Sequence, residues 1–276
     1  MSRDLRLLWQ SIRAENRIFW RTPIGAFFTL GLPLIMLVLF VALFGNDPLG
    51  DTAYGDITTA QFYAAGLGVF AAASATYTNI AINLSMRRDD GILKRVRGTP
   101  IPPWVFLGGV ILSAVWIAVF ATVVMIGLGM VAYGVELEAA KLPAMIVSFI
   151  AGTTCFATLG VALAALAKTA SGAPAVANAT ILPMGFISNV FIPLDDPPTW
   201  LTWAGDVLPL KPFAFAFTEA MSPFSEAPAF EWGRIGVLVA WTAVGALVAW
   251  KRFRWEPVPG TPKGRGRRNR RAAAAA

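Results

Sequence analysis

Uncharged apolar runs of roughly 20 residues or more recur along this chain, the length a helix needs to cross the hydrocarbon core of a bilayer. Six can be drawn, at about 24–44, 58–84, 104–133, 142–167, 174–193 and 233–250. Lipid offers no partner to a backbone N–H or C=O, so a crossing segment satisfies itself as helix; the ten-residue alternation of a membrane β-barrel is absent. Only 14% of the 276 residues are charged, against about 25% in a soluble domain. The expected fold is an all-α membrane protein with six transmembrane helices (24–250). An amphipathic interfacial leader (1–23) precedes them, a basic cytoplasmic tail (251–276) follows, and short outer-leaflet helices lie between spans five and six.

Charge sets the orientation. With both termini in the cytoplasm, 20 of the 23 Lys and Arg fall on inner segments and only Lys141, Lys211 and Arg234 on outer ones, while eleven of the 16 acids fall outside. That is the positive-inside pattern of a multi-pass protein of the plasma membrane. In the leader, Leu5, Leu8, Ile12 and Phe19 follow helical spacing on one side, and Arg13, Arg17 and Arg21 recur on another, suited to anionic membrane lipids. Pro23 marks the bend into the first span. The charged leader and the length of the first apolar run argue against a cleavable signal peptide. The Gly-containing basic tail lacks apolar periodicity and is expected to be disordered, drawn to the inner leaflet rather than to nucleic acid.

The six runs hold essentially no Asp, Glu, Lys or Arg, the chain has no His, and its single cysteine, Cys155, lies in an apolar run. Ion-coupled carriers and intramembrane enzymes place ionisable groups within their spans. A secondary transporter or channel is therefore the weaker alternative, a membrane enzyme is weaker still, and no catalytic or metal residue is assigned. The motif G-x-x-x-x-G-K-[ST] is missing, so this chain does not hold ATP in a P-loop. Neutral polar groups are more informative. Gln61, Thr76, Asn79 and Asn83 lie near one face of the second span with Ala65, Gly68 and Ala72; Asn178, Gly185 and Asn189 repeat the theme in the fifth. Pro33 interrupts the first span and Pro183 the fifth. Such stripes line a translocation path or a dimer interface, or they act as glue between the helices of one chain.

Two segments outside the spans are distinctive. "PLDDPPTWLTWAGDVLPLKPFAFAF", after the fifth span, is too apolar for a simple loop and too rich in proline for one helix, which predicts one or two short helices dipping into the outer leaflet. "RRDDGILKRVRGTPIPPW", residues 87–104, sets five basic and two acidic side chains between two apolar spans. Positive charge holds the loop inside, but Asp89, Asp90 and an apolar edge of Ile92, Leu93 and Val96 suit a docking element for a soluble partner.

With these two segments, six spans and an amphipathic leader, residues 1–255 resemble the permease subunits of type-2 ABC exporters, of the bacterial daunorubicin-resistance kind. The resemblance implies that the loop after the second span is the coupling helix, seated in a groove of a separate ATP-binding subunit that carries ATP and Mg. That role falls on Arg87, Arg88, Asp89, Asp90, Gly91, Leu93, Lys94 and Arg95, although the family often has an acid where this chain has Arg87 or Arg88. The resemblance also implies a second permease half, identical or related, met along the second and fifth spans. The function then expected is export of hydrophobic drugs, lipids or glycolipids. A membrane scaffold for another complex is the remaining alternative.

Overall fold

The computed structural model describes residues 3–50, 56–167, 169–193 and 197–256. Within them the regular structure is helical, apart from one isolated bridge between Pro48 and Thr58. The helices in chain order are α1 (Arg3–Trp20), α2 (Pro23–Phe44), α3 (Thr59–Asp89), α4 (Ile92–Arg97) and α5 (Pro103–Tyr133). They continue with α6 (Ala139–Leu166), α7 (Ala173–Ile187), α8 (Thr199–Val207), α9 (Leu210–Met221) and α10 (Trp232–Arg252). Among the described residues five helices, α2, α3, α5, α6 and α10, are long and apolar enough to cross a membrane. Asp51, Lys168, Asp195, Asp196 and the basic tail from 257 onward lie outside the described residues.

The expected fifth span ends early. α7 is 15 residues long and stops at Ile187 rather than continuing to Pro193. Asn189 takes a positive φ of 55°, a left-handed conformation that asparagine tolerates better than most residues. The chain turns there, the Val190 N–H donates back to the Gly185 carbonyl at 3.3 Å, and the Phe191 ring lies across Phe70 at 4.7 Å and Phe186 at 5.0 Å. Pro183 does not end the helix, which runs through it.

The second span instead runs beyond Leu84. Nothing in 84–89 breaks a helix, and α3 stops only before Gly91, whose φ of 73° suits a residue without a Cβ. Two widened π-turns interrupt the long helices, at Phe27–Gly31 in α2 and Ser74–Thr78 in α3. Pro33 explains the first, because it has no N–H to offer the Thr29 carbonyl one turn back. In the second, the Thr76 hydroxyl donates to the Ala72 carbonyl at 2.8 Å and competes with the helix's own bonds.

Small residues bring the helices together. α3 is the inner column of the bundle, with Ala60, Ala64, Ala65, Ala72 and Ala73 fully buried. At Gly160 of α6 an added Cβ would lie 2.7 Å from the Tyr77 carbonyl oxygen, and at Gly152 it would lie 2.3 Å from the Phe213 ring. α9 is therefore driven into the bundle, with Phe213 and Phe217 buried. α8 keeps Trp200 and Trp203 exposed.

α1 packs along α5. Leu8 sits over Gly108 and Ser11 over Gly109, with Phe19 buried at the end. The inward side therefore includes Leu8, Ile12 and Phe19 but not Leu5, which is exposed beside Trp9. Arg13 and Arg17 face outward as spaced.

The Gly160 contact yields a first prediction. Gly160→Val forces backbone apart where α3 and α6 cross and should destabilise the purified chain by about 2 kcal/mol. A thermal-unfolding scan in detergent checks it, with Gly127→Val, where a Cβ meets open space, as the neutral control.

Candidate functional site

The C-terminal end of α3 carries three consecutive residues that reach three different elements. Successive side chains on an α-helix point about 100° apart, so Arg87, Arg88 and Asp89 fan outward. Arg87 makes a two-pronged pair with Glu15 of α1, at 2.5 and 2.6 Å, and lies 5.8 Å above the Phe106 ring of α5. Arg88 is buried and donates to the carbonyls of Ala164 and Ala167, both at 2.7 Å, at the end of α6. A cation there satisfies carbonyls that the helix leaves without partners and opposes the negative end of its dipole. Asp89 accepts the Ala170 N–H at 2.6 Å, which fixes the link from α6 to α7.

Beyond this grip the chain turns at Gly91 and forms the short helix α4, an elbow held at its base. Leu93 is fully buried, so that part of the apolar edge read from the sequence faces the fold, while Ile92 stays exposed. What α4 exposes is Ile92, Lys94, Arg95 and Arg97, with Asp90 just before it. Of the eight residues assigned to this segment, Arg88 and Leu93 are structural anchors and Gly91 makes the turn. Arg87 and Asp89 are occupied by partners within the chain, and Asp90, Lys94 and Arg95 are exposed, Lys94 within 3.9 Å of Glu256.

The polar stripe of α3 divides by depth. Gln61 is a clip: its amide donates to the carbonyls of Glu136 at 3.0 Å and Met221 at 2.6 Å and accepts the Glu136 N–H at 3.1 Å. Thr76 is buried against its own helix. Asn79 and Asn83 bond to each other at 2.6 Å and line, with Glu15 and Ser113, a small cavity of about 70 Å³ beside α1. In α7 Asn178 is exposed, Gly185 is the floor on which the Phe191 ring rests, and Asn189 belongs to the turn rather than to a helix face. The two groups are not brought into one site.

A larger space opens between α2, α3 and α7. It measures about 790 Å³ and is lined by apolar side chains including Met36, Phe40, Tyr63, Phe70, Leu182 and Phe186, with Asp47 at the end where α2 leaves the bundle.

Sequence spacing did not single out several residues that organise the ends of the bundle. Glu15 is one of two acids, with Asp4, in a basic leader. Lys141 is fully buried, donating to the Ser222 carbonyl at 2.6 Å and pairing with Glu138 at 2.8 Å, so it caps α9 much as Arg88 caps α6. Asp206 of α8 holds Lys211 at 3.1 Å and Arg234 at 2.5 Å, joining α8, α9 and α10. Partial burial alone would raise the Asp206 carboxyl, but the hydrogen bonds and charges of Arg234 and Lys211 outweigh it and hold the group below the usual carboxylate range.

Residues 6–222 match the ABC-2 type transporter family. The chain belongs to that family. It is 30% identical over 231 residues to the daunorubicin resistance ABC transporter permease protein DrrB1 of Streptomyces coeruleorubidus, covering 80% of this chain and 75% of that one. It is 31% identical over 219 residues to the putative transport permease ycf38 of Cyanophora paradoxa, covering 75% and 72%. This ABC-2 chain, with five membrane-length helices among the described residues, is a multi-pass membrane protein.

Two predictions follow from the ends of the bundle. Arg88→Ala leaves one buried and one partly buried carbonyl of the ABC-2 chain without this donor and should cost about 3 kcal/mol; Arg88→Lys, with no planar fork, should recover only part of it in the same thermal scan. For Asp206, whose folded pKa is depressed, the stabilisation is present above the unfolded value near pH 4 and is lost as pH falls through the folded one. Tryptic cleavage after Arg234 should accordingly be faster in Asp206→Asn than in the parent at neutral pH. The parent's lead over the variant in a thermal scan should shrink as the pH is lowered below about 4.

Proposed function

We propose that this chain is the membrane subunit of an ATP-driven exporter. In this reading α7 is a sixth span, both termini are cytoplasmic, and α1 lies at the inner face of the plasma membrane. Two such halves, identical or related, work with two ATP-binding subunits, which hold ATP and Mg. The observation that carries the reading is the elbow: an exposed basic helix whose root is bonded to α1, to the end of α6 and to the start of α7. Force applied to Lys94 and Arg95 from outside reaches three membrane elements through charge-assisted bonds rather than through a floppy loop. Family membership and the absence of a P-loop motif support an energy source on a separate chain.

The substrate proposed is a hydrophobic or amphiphilic molecule, a drug, lipid or glycolipid, and the apolar space between α2, α3 and α7 is its entry. A path of this composition suits a molecule that partitions from lipid, and the name of the similar Streptomyces permease supports a drug-like cargo. The second half is proposed to meet this one along α7, where Asn178 is exposed. Gln61 and Thr76 of α3 are occupied within the protomer and act as glue. ATP closure moves the elbow and rocks the two halves between inward- and outward-open arrangements, which requires a bistable assembly and no chemistry in the spans.

Reversing Lys94 and Arg95 to Glu tests this, because both are exposed and neither anchors the fold. Co-purification with the ATP-binding subunit should weaken by about tenfold or more while the permease stays monodisperse. Undiminished association and transport would remove the docking role.

A further inference from the structure

We infer that the segment just past α10, residues 253–256, is a positioning latch for the elbow, with Trp255 acting through Phe106 and Arg87. The inference rests on the reading of α4 as the element that docks the ATP-binding subunit. α10 ends at Arg252, and the Phe253 N–H donates to the Ala249 carbonyl at 2.8 Å. The chain then turns back onto the cytoplasmic end of the bundle, where Phe253 packs against the cluster built on Ile80, Leu84 and Val110. The Trp255 ring stands edge-on to Phe253 at 5.4 Å and reaches Phe106 at 6.3 Å. Phe106 is the ring beneath the Arg87 guanidinium, at 5.8 Å, and Arg87 is the residue clamped to Glu15. Glu256 lies 3.9 Å from Lys94 on α4 itself.

Side chains from α1, the end of α3, the start of α5 and the segment after α10 therefore form one continuous line beneath the elbow. The Lys94–Glu256 pair is two-thirds exposed on both sides, and such pairs hold little on their own. The aromatic contacts are what seat the segment, and both Phe253 and Trp255 are half-buried. With Trp255 seated, Arg87 is confined between the Glu15 carboxylate and a supported ring, and the root of α4 is fixed to α5. With Trp255 removed, Phe106 loses its backing and Arg87 keeps Glu15 alone. The elbow can then tilt without carrying α5 and α10 with it, and a push on α4 is spent locally. Trp255 is thus a positioning residue for coupling rather than a contact for substrate or nucleotide.

The test uses the full permease with its ATP-binding subunit in proteoliposomes, comparing Trp255→Ala and Trp255→Phe with the parent. Trp255→Ala should co-purify with the ATP-binding subunit and hydrolyse ATP as the parent does, yet move about fivefold less substrate per ATP, the population shift that losing one aromatic pair produces. Trp255→Phe should restore most of that ratio. An unchanged ratio in Trp255→Ala overturns the latch. So does a parallel loss of assembly, hydrolysis and transport that Trp255→Phe fails to rescue, because that is the signature of a merely structural residue. A second readout needs no ATP-binding subunit. In the permease alone, Val96→Cys on α4 should react with an aqueous maleimide several-fold faster when Trp255 is Ala, the native Cys155 being buried. Equal rates overturn the latch whatever becomes of the ATP-driven reading, and a faster rate supports it even where that reading fails.

Discussion

A guanidinium withdrawn from water must be surrounded by oxygen, and the end of a helix is one of the few places in a membrane bundle where spare oxygen is available. Arg88 and the last carbonyls of α6 solve each other's problem. These two bonds fix the meeting of α3 with α6 at this point. The arrangement of this end of the bundle then follows from helical geometry. With Arg88 pointed at α6, Arg87 must point toward α1 and Asp89 toward the start of α7. The elbow inherits its position from one buried cation.

The same logic recurs at the opposite end, with different residues. Lys141 occupies the end of α9, and Gln61 uses both of its amide atoms to hold the α5–α6 connection against that same helix. The buried charges Arg88 and Lys141 sit where helices stop. Along the bundle, alanine and glycine let backbones approach closely enough for dispersion to hold them where the hydrophobic effect cannot.

Much of this architecture was legible in the sequence, and the reasons for the gaps are specific. Long apolar runs locate α2, α3, α5, α6 and α10 because crossing lipid imposes a length and a composition. The elbow was legible because charge between two such runs has few other places to go. The end of α7 was not, since Val190 and Phe191 are as apolar as the helix before them and only the backbone angle at Asn189 reveals the turn. The inward face of Leu93 and the burial of Arg88 were hidden for a related reason. A side chain next to a turn can point anywhere, and hydropathy assigns arginine to water. The pairing of Glu15 with Arg87 spans 72 positions, so no local pattern records it. The polar stripe of α3 was correctly placed on a helix, but spacing alone could not separate a channel wall from internal glue.

The brevity of α7 has a consequence for the lipid around it. Fifteen residues of helix rise only about 22 Å, whereas the hydrocarbon of an ordinary bilayer is about 30 Å thick. In the six-span arrangement proposed above, the mismatch would fall on the wall that faces the apolar space beside α2. Lipid bordering α7 would have to thin to match it. A molecule moving along that wall would then cross less oil than beside the longer helices α5 and α6.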